Sequence, residues 1–284
     1  MDCAKLIGAR VVKPKKSVAQ LKGLFKVLKK LPDLYAIPTT AGTGSETTIA
    51  AVVSDPINKQ KYAVTDLVLM PKAAVLLPEL TLKLPAHITA ATGMDALTHA
   101  VEAYIGVNGN KFTDDRALKA CKLIFDNLQN VYHEGGNLSQ RNNMLLASFY
   151  AGEAFTRTSI GYVHAIAHNL GGLYGTPHGL ANAVTLPYIL RWYDKKAHKS
   201  LAEIALYCSI GNEFDLDCDK VNALIETIEN LNKQMGLPTG LPELQKSDIS
   251  MLATKALKEA HPDYPVPKFM TLMQCKQVIS KLLV

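Results

Sequence analysis

One apolar stretch carries an aspartate and a histidine at helical spacing and constrains the fold more than any other. Residues 93–104 read GMDALTHAVEAY, contain no proline and consist largely of good helix formers. Asp95 and His99 are four residues apart, so on a helix they share one face, with about 6 Å between their Cβ atoms. Burying a carboxylate and an imidazole among Ala, Leu and Val costs free energy unless another group pairs with them. The stretch therefore predicts a buried helix whose polar side chains have a charged partner.

A second apolar stretch supplies more imidazoles. Residues 163–178 read VHAIAHNLGGLYGTPH, with His164 and His168 four residues apart and His178 beyond a glycine-rich bend. A single histidine in such a helix is more often a core residue than a ligand, and Asp95 alone could pair with a base. Three histidines and one carboxylate in two apolar segments are harder to bury without a cation. Together they predict a site for a divalent metal ion.

The composition is that of an ordinary globular protein. Of the 284 residues, 48% are hydrophobic and 20% are charged. The sequence has neither an apolar run of about 18 residues nor a signal-peptide pattern, so we expect a cytoplasmic protein that does not bind a membrane. Its five scattered cysteines lack a CxxC spacing and predict neither a disulfide framework nor a cysteine-based zinc site.

The net charge of +6 is concentrated at the N-terminus. Residues 1–32 hold nine Lys and Arg against one acid. Lys22 and Lys26 fall at helical spacing opposite Leu24 and Leu28, which is typical of a solvated helix face. No aromatic stacking platform is interleaved with these lysines, so we expect no nucleic-acid partner.

The first 84 residues predict the later part of a doubly wound nucleotide-binding domain. The expected elements are helices at 2–12 and 17–31, strands at 34–37, 67–70 and 73–76, and a hairpin of 49–54 and 61–65 around a turn at 55–58. The loop PTTAGTGSE at 38–46 follows a strand, and Gly42 and Gly44 permit close backbone approach. Its hydroxyl groups could bind a ribose or phosphate, although an ordinary polar loop is the alternative. These hydroxyls belong to Thr39, Thr40, Thr43 and Ser45.

From residue 86 onward the pattern is helical. We place a domain boundary near residue 84, with domains at 1–84 and 85–284. Besides the two ligand-bearing stretches, helices are expected at 112–132, 138–155, 178–192, 200–207, 221–235 and 247–259.

Three blocks, in this order, resemble the iron-containing (group III) alcohol dehydrogenase family: IPTTAGTGSE at 37–46, GMDALTHAVEAY at 93–104 and HAIAHNLGGLYGTPHG at 164–179. The resemblance implies an α/β plus all-α fold with dehydroquinate synthase-like architecture, in which a remnant of the doubly wound domain precedes a helical metal-binding domain. It implies a metal held by Asp95, His99, His164 and His178. By the same resemblance His168 would lie beside the metal without ligating it, and its position one turn after His164 predicts a catalytic relay for the alcohol proton. Thr48 and Lys61 would lie near the nicotinamide ribose.

The implied reaction is hydride transfer between a primary alcohol or aldehyde and NAD or NADP. The resemblance implies Fe²⁺, whereas the ligand set alone also suits Zn²⁺, the stronger competitor in the Irving–Williams order. The family's GGGS phosphate loop does not precede the first helix, so we expect the chain to lack roughly the first hundred residues of its relatives. Its leftover parallel sheet would then expose an apolar edge, and we expect a homo-oligomer.

Two alternatives stay open. The chain could be a metal-binding remnant that cannot hold its cofactor, or it could be a relative of the glycerol dehydrogenases or dehydroquinate synthases with the same architecture.

Overall fold

The computed structural model describes residues 1–55 and 60–284, which form a small α/β part followed by a large helical part. The described elements of the first part are α1 Asp2–Val12, β1 Gly23–Leu24, β2 Tyr35–Ala36, β3 Ala50–Asp55, β4 Gln60–Thr65 and β5 Ala73–Ala74. The helices that follow are α2 Ala86–Ile105, α3 Lys111–His133, α4 Leu138–Thr158, α5 Tyr162–Tyr174, α6 His178–Tyr193, α7 His198–Tyr207, α8 Asp217–Gln234, α9 Ile249–Ala260 and α10 Leu272–Ser280. The predicted fold class is confirmed.

The expected hairpin is present as β3 and β4, which pair antiparallel. Ala51 lies opposite Val64, and both are completely buried. On its other side β4 pairs parallel with β1, while β2 and β5 form a separate parallel pair. The predicted turn at 55–58 lies outside the described residues except for Asp55. The sheets are thus parallel only in part.

The predicted helix at 17–31 is wrong. The segment forms a short 3₁₀ turn at Ala19–Leu21 and then β1, and Phe25 and Leu28 have φ values of 51° and 50°. The cause is a distant carboxylate: Asp66 Oδ2 accepts hydrogen bonds from the backbone amides of Val27 and Leu28, both at 3.0 Å. Leu24 and Leu28, which were expected opposite the lysine face, are 64% and 68% exposed, whereas Leu21 is buried.

Asp66 also overturns the strand predicted at 67–70. Its Oδ1 accepts from the amide of Val68 at 3.4 Å and caps a 3₁₀ turn at Leu67–Leu69. A carboxylate that caps the chain directly after β4 competes with extension of the strand.

The helical part follows the sequence closely because its helices carry strong signals. Asn110 and Thr113 form a capping box at the start of α3. The prediction omitted α10, although Thr271 and Gln274 form a capping box there too. The central helix is α2, which packs against α3, α4 and α6 and is buried along most of its length. The domain boundary near residue 84 stays a prediction; α2 begins at Ala86.

None of the helices in the described part of the chain combines the length and the apolar character needed to cross a membrane.

Candidate metal centre

Helix α2 places Asp95 and His99 on one buried face, as the spacing predicted. Their side chains are 3% and 7% exposed, with 4.0 Å between Asp95 Oδ1 and His99 Nδ1. The His99 ring lies between two other rings, with centroids 4.1 Å from Phe155 and 4.4 Å from His164. These stacked neighbours hold the imidazole in one orientation.

Helices α5 and α6 bring two more imidazoles to the same carboxylate oxygen. The distances from Asp95 Oδ1 are 3.6 Å to His164 Nε2 and 3.4 Å to His178 Nε2. His178 is the first residue of α6, and the next residue, Gly179, lets this helix approach α2 closely. A Cβ atom on Gly179 would lie only 2.0 Å from the carbonyl oxygen of Ala91. This glycine contact positions His178 over Asp95.

The arrangement fits a divalent ion. An ion that binds tetrahedrally at about 2.0–2.2 Å holds its ligand atoms about 3.3–3.6 Å apart, close to the distances around Asp95. Among the described residues, Asp95, His99 and His164 form a group whose ligand atoms all lie within 4.8 Å of one another. His99 Nδ1 is buried and has no hydrogen-bond partner in the described part of the chain. A cation between these atoms would satisfy it.

Burial and charge set the protonation of the site. Burial alone would raise the pKa of Asp95, but His99, His178 and His164 together lower it well below its usual range. Burial lowers the pKa of both His99 and His178 to about 3, with the negative charge of Asp95 opposing the shift. At neutral pH the site therefore offers an ionised carboxylate and two neutral imidazoles, the forms that bind metals.

His164 differs because it lies between two carboxylates. Burial alone would lower its pKa, but its hydrogen bonds to Asp95 and Glu102 raise it to about 9. Glu102 Oε2 lies 2.6 Å from His164 Nδ1, and this carboxylate also accepts from the backbone amides of Gly161 and Val163, both at 2.8 Å. Such a carboxylate orients a ligating histidine and directs its other nitrogen to the metal.

The sequence analysis did not single out Glu102, although its spacing from Asp95 and His99 could have identified it. It lies seven residues after Asp95 and three after His99, so it falls on the same face of α2. A buried acid at that spacing is the expected partner of a ligating histidine.

His168 lies beside the ligand group, one turn after His164, as the resemblance implied. Its ring stacks on His178 at 5.1 Å, and its side chain is 21% exposed against 1% for His164. His168 Nδ1 lies 2.6 Å from Glu259 Oε1. Glu259 also accepts from Tyr264 OH at 2.9 Å and from Asn169 Nδ2 at 3.1 Å. The sequence pointed to none of these three partners.

Four of the candidate cofactor residues share one cavity, and the others lie outside it. These four line a cavity of about 430 Å³ together with the first residues of α1: Thr39, Thr40, Thr43 and Ser45. Gly42 instead packs against α2, where an added Cβ would lie 2.5 Å from the Thr92 side chain. Lys61 extends towards α5, with its Nζ 3.2 Å from the position of a Cβ on Gly171. Gly42 thus connects the loop to α2, and Lys61 connects β4 to α5; both helices carry candidate ligands.

Thr48 is engaged by a buried lysine that the sequence did not single out. Lys5 Nζ donates to Thr48 Oγ1 at 2.7 Å and to the carbonyl oxygens of Ser45, Thr48 and Ala50 at 2.7–2.9 Å. Burial lowers the pKa of Lys5 to about 8, with Asp2 and Glu46 opposing the shift. Thr48 thus has a structural contact in addition to its predicted place near the ribose.

Both parts of the chain match known protein families. A family model described as iron-containing alcohol dehydrogenase matches residues 1–78, and one described as the C-terminal part of the Fe-containing alcohol dehydrogenase family matches residues 89–283. The 1,3-propanediol dehydrogenase of Citrobacter freundii is 39% identical over 262 residues, which are 92% of this chain and 67% of that protein.

Two further similarities extend over nearly the whole chain. The NAD-dependent methanol dehydrogenase of Bacillus methanolicus is 35% identical over 284 residues, 99% of this chain and 74% of that protein. The crystal structure of a 1,3-propanediol oxidoreductase superposes with a TM-score of 0.94 at 36% identity, covering 99% of this chain and 74% of that one.

Proposed function

Because the chain belongs to the iron-containing alcohol dehydrogenase family, we propose that it interconverts a primary alcohol and an aldehyde in a metal-dependent reaction with NAD or NADP. The observation that carries this proposal is the convergence of three imidazoles on the buried carboxylate of Asp95. The Bacillus methanolicus relative is by its name NAD-dependent, which favours NAD.

Four side chains hold the ion in this proposal: Asp95, His99, His164 and His178. Metal binding displaces the proton from His164, and three neutral imidazoles and one carboxylate then leave a net charge of +1 on a divalent ion. When bound, the ion would act as a Lewis acid on the alcohol oxygen, and the nicotinamide ring would accept the hydride. We propose Fe²⁺ as the resident metal on the family's description, with Zn²⁺ as its competitor.

His168 moves the alcohol proton. Glu259 binds its Nδ1, so Nε2 is the nitrogen that takes up the proton. The partial exposure of the ring connects the buried ligand group to solvent. His168 is thus the catalytic general base for alcohol oxidation and the general acid for aldehyde reduction.

The loop at 39–45 and Lys61 bind the cofactor. The hydroxyl groups around the 430 Å³ cavity suit ribose or phosphate oxygens. Lys61 lies on β4 beside α5 and adds a positive charge between that cavity and the ligand helices. Thr48 and Gly42 hold the loop in place, Thr48 through its hydrogen bond with Lys5 and Gly42 through its close contact with Thr92.

We also propose a homo-oligomer. The N-terminal part exposes several large apolar side chains, among them Val11, Leu24, Leu28 and Leu67, each more than 60% exposed. Covering them would remove apolar surface from water. Sedimentation velocity tests this, and a monodisperse monomer across micromolar concentrations would refute it.

The decisive experiment loads the purified chain anaerobically with Fe²⁺, measures its metal content, and titrates it with NAD(H) and NADP(H) by calorimetry. One metal per chain, micromolar cofactor binding and oxidation of short alcohols would support the proposal. Metal binding without cofactor binding would favour the alternative of a metal-binding chain that does not turn over. A chain that binds no divalent ion would refute the metal site itself.

A further inference from the structure

Asn182 brings its side-chain amide to the middle of the ligand group. It lies one turn after His178 on α6, and 0% of its surface is exposed. Its Nδ2 lies 2.7 Å from Asp95 Oδ1 and 3.3 Å from Nε2 of both His164 and His178. One nitrogen atom therefore contacts three of the four candidate ligands and connects α6 to both α2 and α5.

The short contact with Asp95 determines which way the amide faces. Nitrogen and oxygen of an amide are assigned from their hydrogen-bond partners. The reversed amide would place the Asn182 carbonyl oxygen 2.7 Å from a carboxylate oxygen, and two acceptors at that distance repel each other. The N–H group therefore points to Asp95.

This orientation leaves the amide oxygen of Asn182 without a hydrogen bond. Asn182 Oδ1 is buried and has no hydrogen-bond partner in the described part of the chain. A buried acceptor without a partner lowers the stability of the fold. The side chain thus makes its hydrogen bonds to the candidate ligands and leaves its own oxygen unsatisfied.

We propose that Asn182 is a positioning residue that holds the Asp95 carboxylate at the spacing the metal requires. An imidazole Nε2 has a single lone pair, which an ion would occupy, whereas a carboxylate oxygen has more than one. The hydrogen bond to Asp95 is therefore the contact that is compatible with a bound ion. The proposal rests on the metal site of the proposed function but not on turnover.

The test replaces Asn182 by leucine, which has a similar volume and no donor, and by alanine, which fits without overpacking. Competition titration of the full chain with Zn²⁺ and a chelator measures metal affinity, and circular dichroism verifies folding. We expect each folded variant to bind Zn²⁺ about 10- to 100-fold more weakly, the usual cost of losing a residue that supports a ligand.

Asn232→Leu is the matched control. Asn232 is also a buried amide, with its Nδ2 donating to the Ala183 carbonyl at 2.8 Å and its Oδ1 without a partner among the described residues. This variant should lose thermal stability while its Zn²⁺ affinity stays within twofold of the parent.

Three results would overturn the proposal: unchanged affinity in the Asn182 variants, an equal loss in Asn232→Leu, or no metal binding by the parent chain. The first two leave the proposed function standing, and only the third refutes both. Conversely, metal binding that depends on Asn182 in a chain that oxidises no alcohol would support the positioning role and refute the proposed function.

Discussion

The helical part and the N-terminal part of this molecule hold their candidate functional side chains in opposite ways. In the helical part, Asp95, His99 and His164 are almost completely buried. Glu102 orients His164 through one hydrogen bond to its ring and accepts two more from backbone amides at the start of α5. In the N-terminal part, the hydroxyl-bearing residues Thr39 and Thr43 are exposed at the edge of an open cavity.

The difference follows from what each kind of site requires. A metal ion accepts ligands only at distances near 2 Å, so small displacements of a side chain weaken binding strongly. An extended cofactor is held by many weaker contacts, each of which tolerates displacement. The cores match this division: a six-residue cluster including Leu21 and Val64 supports the N-terminal part, and a far larger one surrounds α2.

The largest expected effect is at the centre of the rigid site. Asp95→Asn removes the only carboxylate of the proposed ligand set, so Zn²⁺ affinity should fall by more than about 100-fold, beyond the cost of losing a supporting residue. Competition titration measures it. Asp126→Asn, which alters an exposed carboxylate paired with Lys122, is the control. Unchanged affinity in Asp95→Asn would disprove the proposed site.

His168→Ala separates proton transfer from metal binding. Alcohol oxidation should fall by about 100-fold or more because the general base is lost, while metal content should be unchanged because His168 is not a ligand. Steady-state rates and metal analysis of the same sample test both. An undiminished rate would count against the relay, and His198→Ala at the start of α7 should have no effect.

Lys5→Met tests whether the buried Lys5 makes the stability of the N-terminal part depend on pH. The pKa of Lys5 is about 8 in the folded chain against 10.5 in the unfolded chain. Between these values the unfolded state holds more protons, so the free energy of unfolding should rise with pH over that window. The rise should be about 3 kcal/mol, since each pKa unit corresponds to about 1.4 kcal/mol.

Denaturant unfolding of both proteins from pH 7 to 11 measures this difference. The rise should be present in the parent and absent from Lys5→Met, whereas the exposed-site variant Lys15→Met should retain it. Parallel pH profiles of the parent and Lys5→Met would show that Lys5 titrates normally.

Glu102→Gln preserves shape and removes charge next to His164. Metal affinity should fall about 10- to 100-fold because the histidine loses its orienting carboxylate. Glu203→Gln, which changes the exposed carboxylate that accepts from Tyr104 OH, should bind metal normally. Equal affinities for Glu102→Gln and the parent would show that the backbone amides alone hold α5 in place.

Lys61→Ala should give the smallest effect, because the cofactor has many contacts. We expect about tenfold weaker NAD(P) binding by calorimetry, the value of one hydrogen bond to a charged group, with unchanged metal affinity. Lys72→Ala is the control, since Lys72 pairs with Asp33 on the surface. A loss of metal affinity in Lys61→Ala would mean that the two parts are more tightly coupled than the comparison suggests.

Much of the candidate ligand group was predictable because the spacing of its residues within each helix can be read from a short stretch of sequence. The four-residue spacing of Asp95 and His99 determines a shared helix face whatever surrounds it. The same spacing places His168 one turn from His164. Glu102 was equally accessible by its position on α2, and only its role as a hydrogen-bond acceptor for α5 was not.

The sequence pattern predicted the wrong structure where a carboxylate from a distant part of the chain binds the backbone amides. Residues 17–31 have a helical pattern, yet the carboxylate of Asp66 binds the amides of Val27 and Leu28 and draws the segment into a loop. No pattern within the segment encodes a partner 38 residues away in sequence.

The sequence by itself determined most helices of the helical part, the three blocks that identify the family, and the residues proposed to bind a metal, because spacing and composition act within a few turns of chain. Only the tertiary structure decided what surrounds those residues. Glu259 reaches His168 across 91 positions, and Asn182 reaches Asp95 across 87. Such partners depend on how α2, α5, α6 and α9 pack, and packing is a property of the whole chain that no single stretch contains.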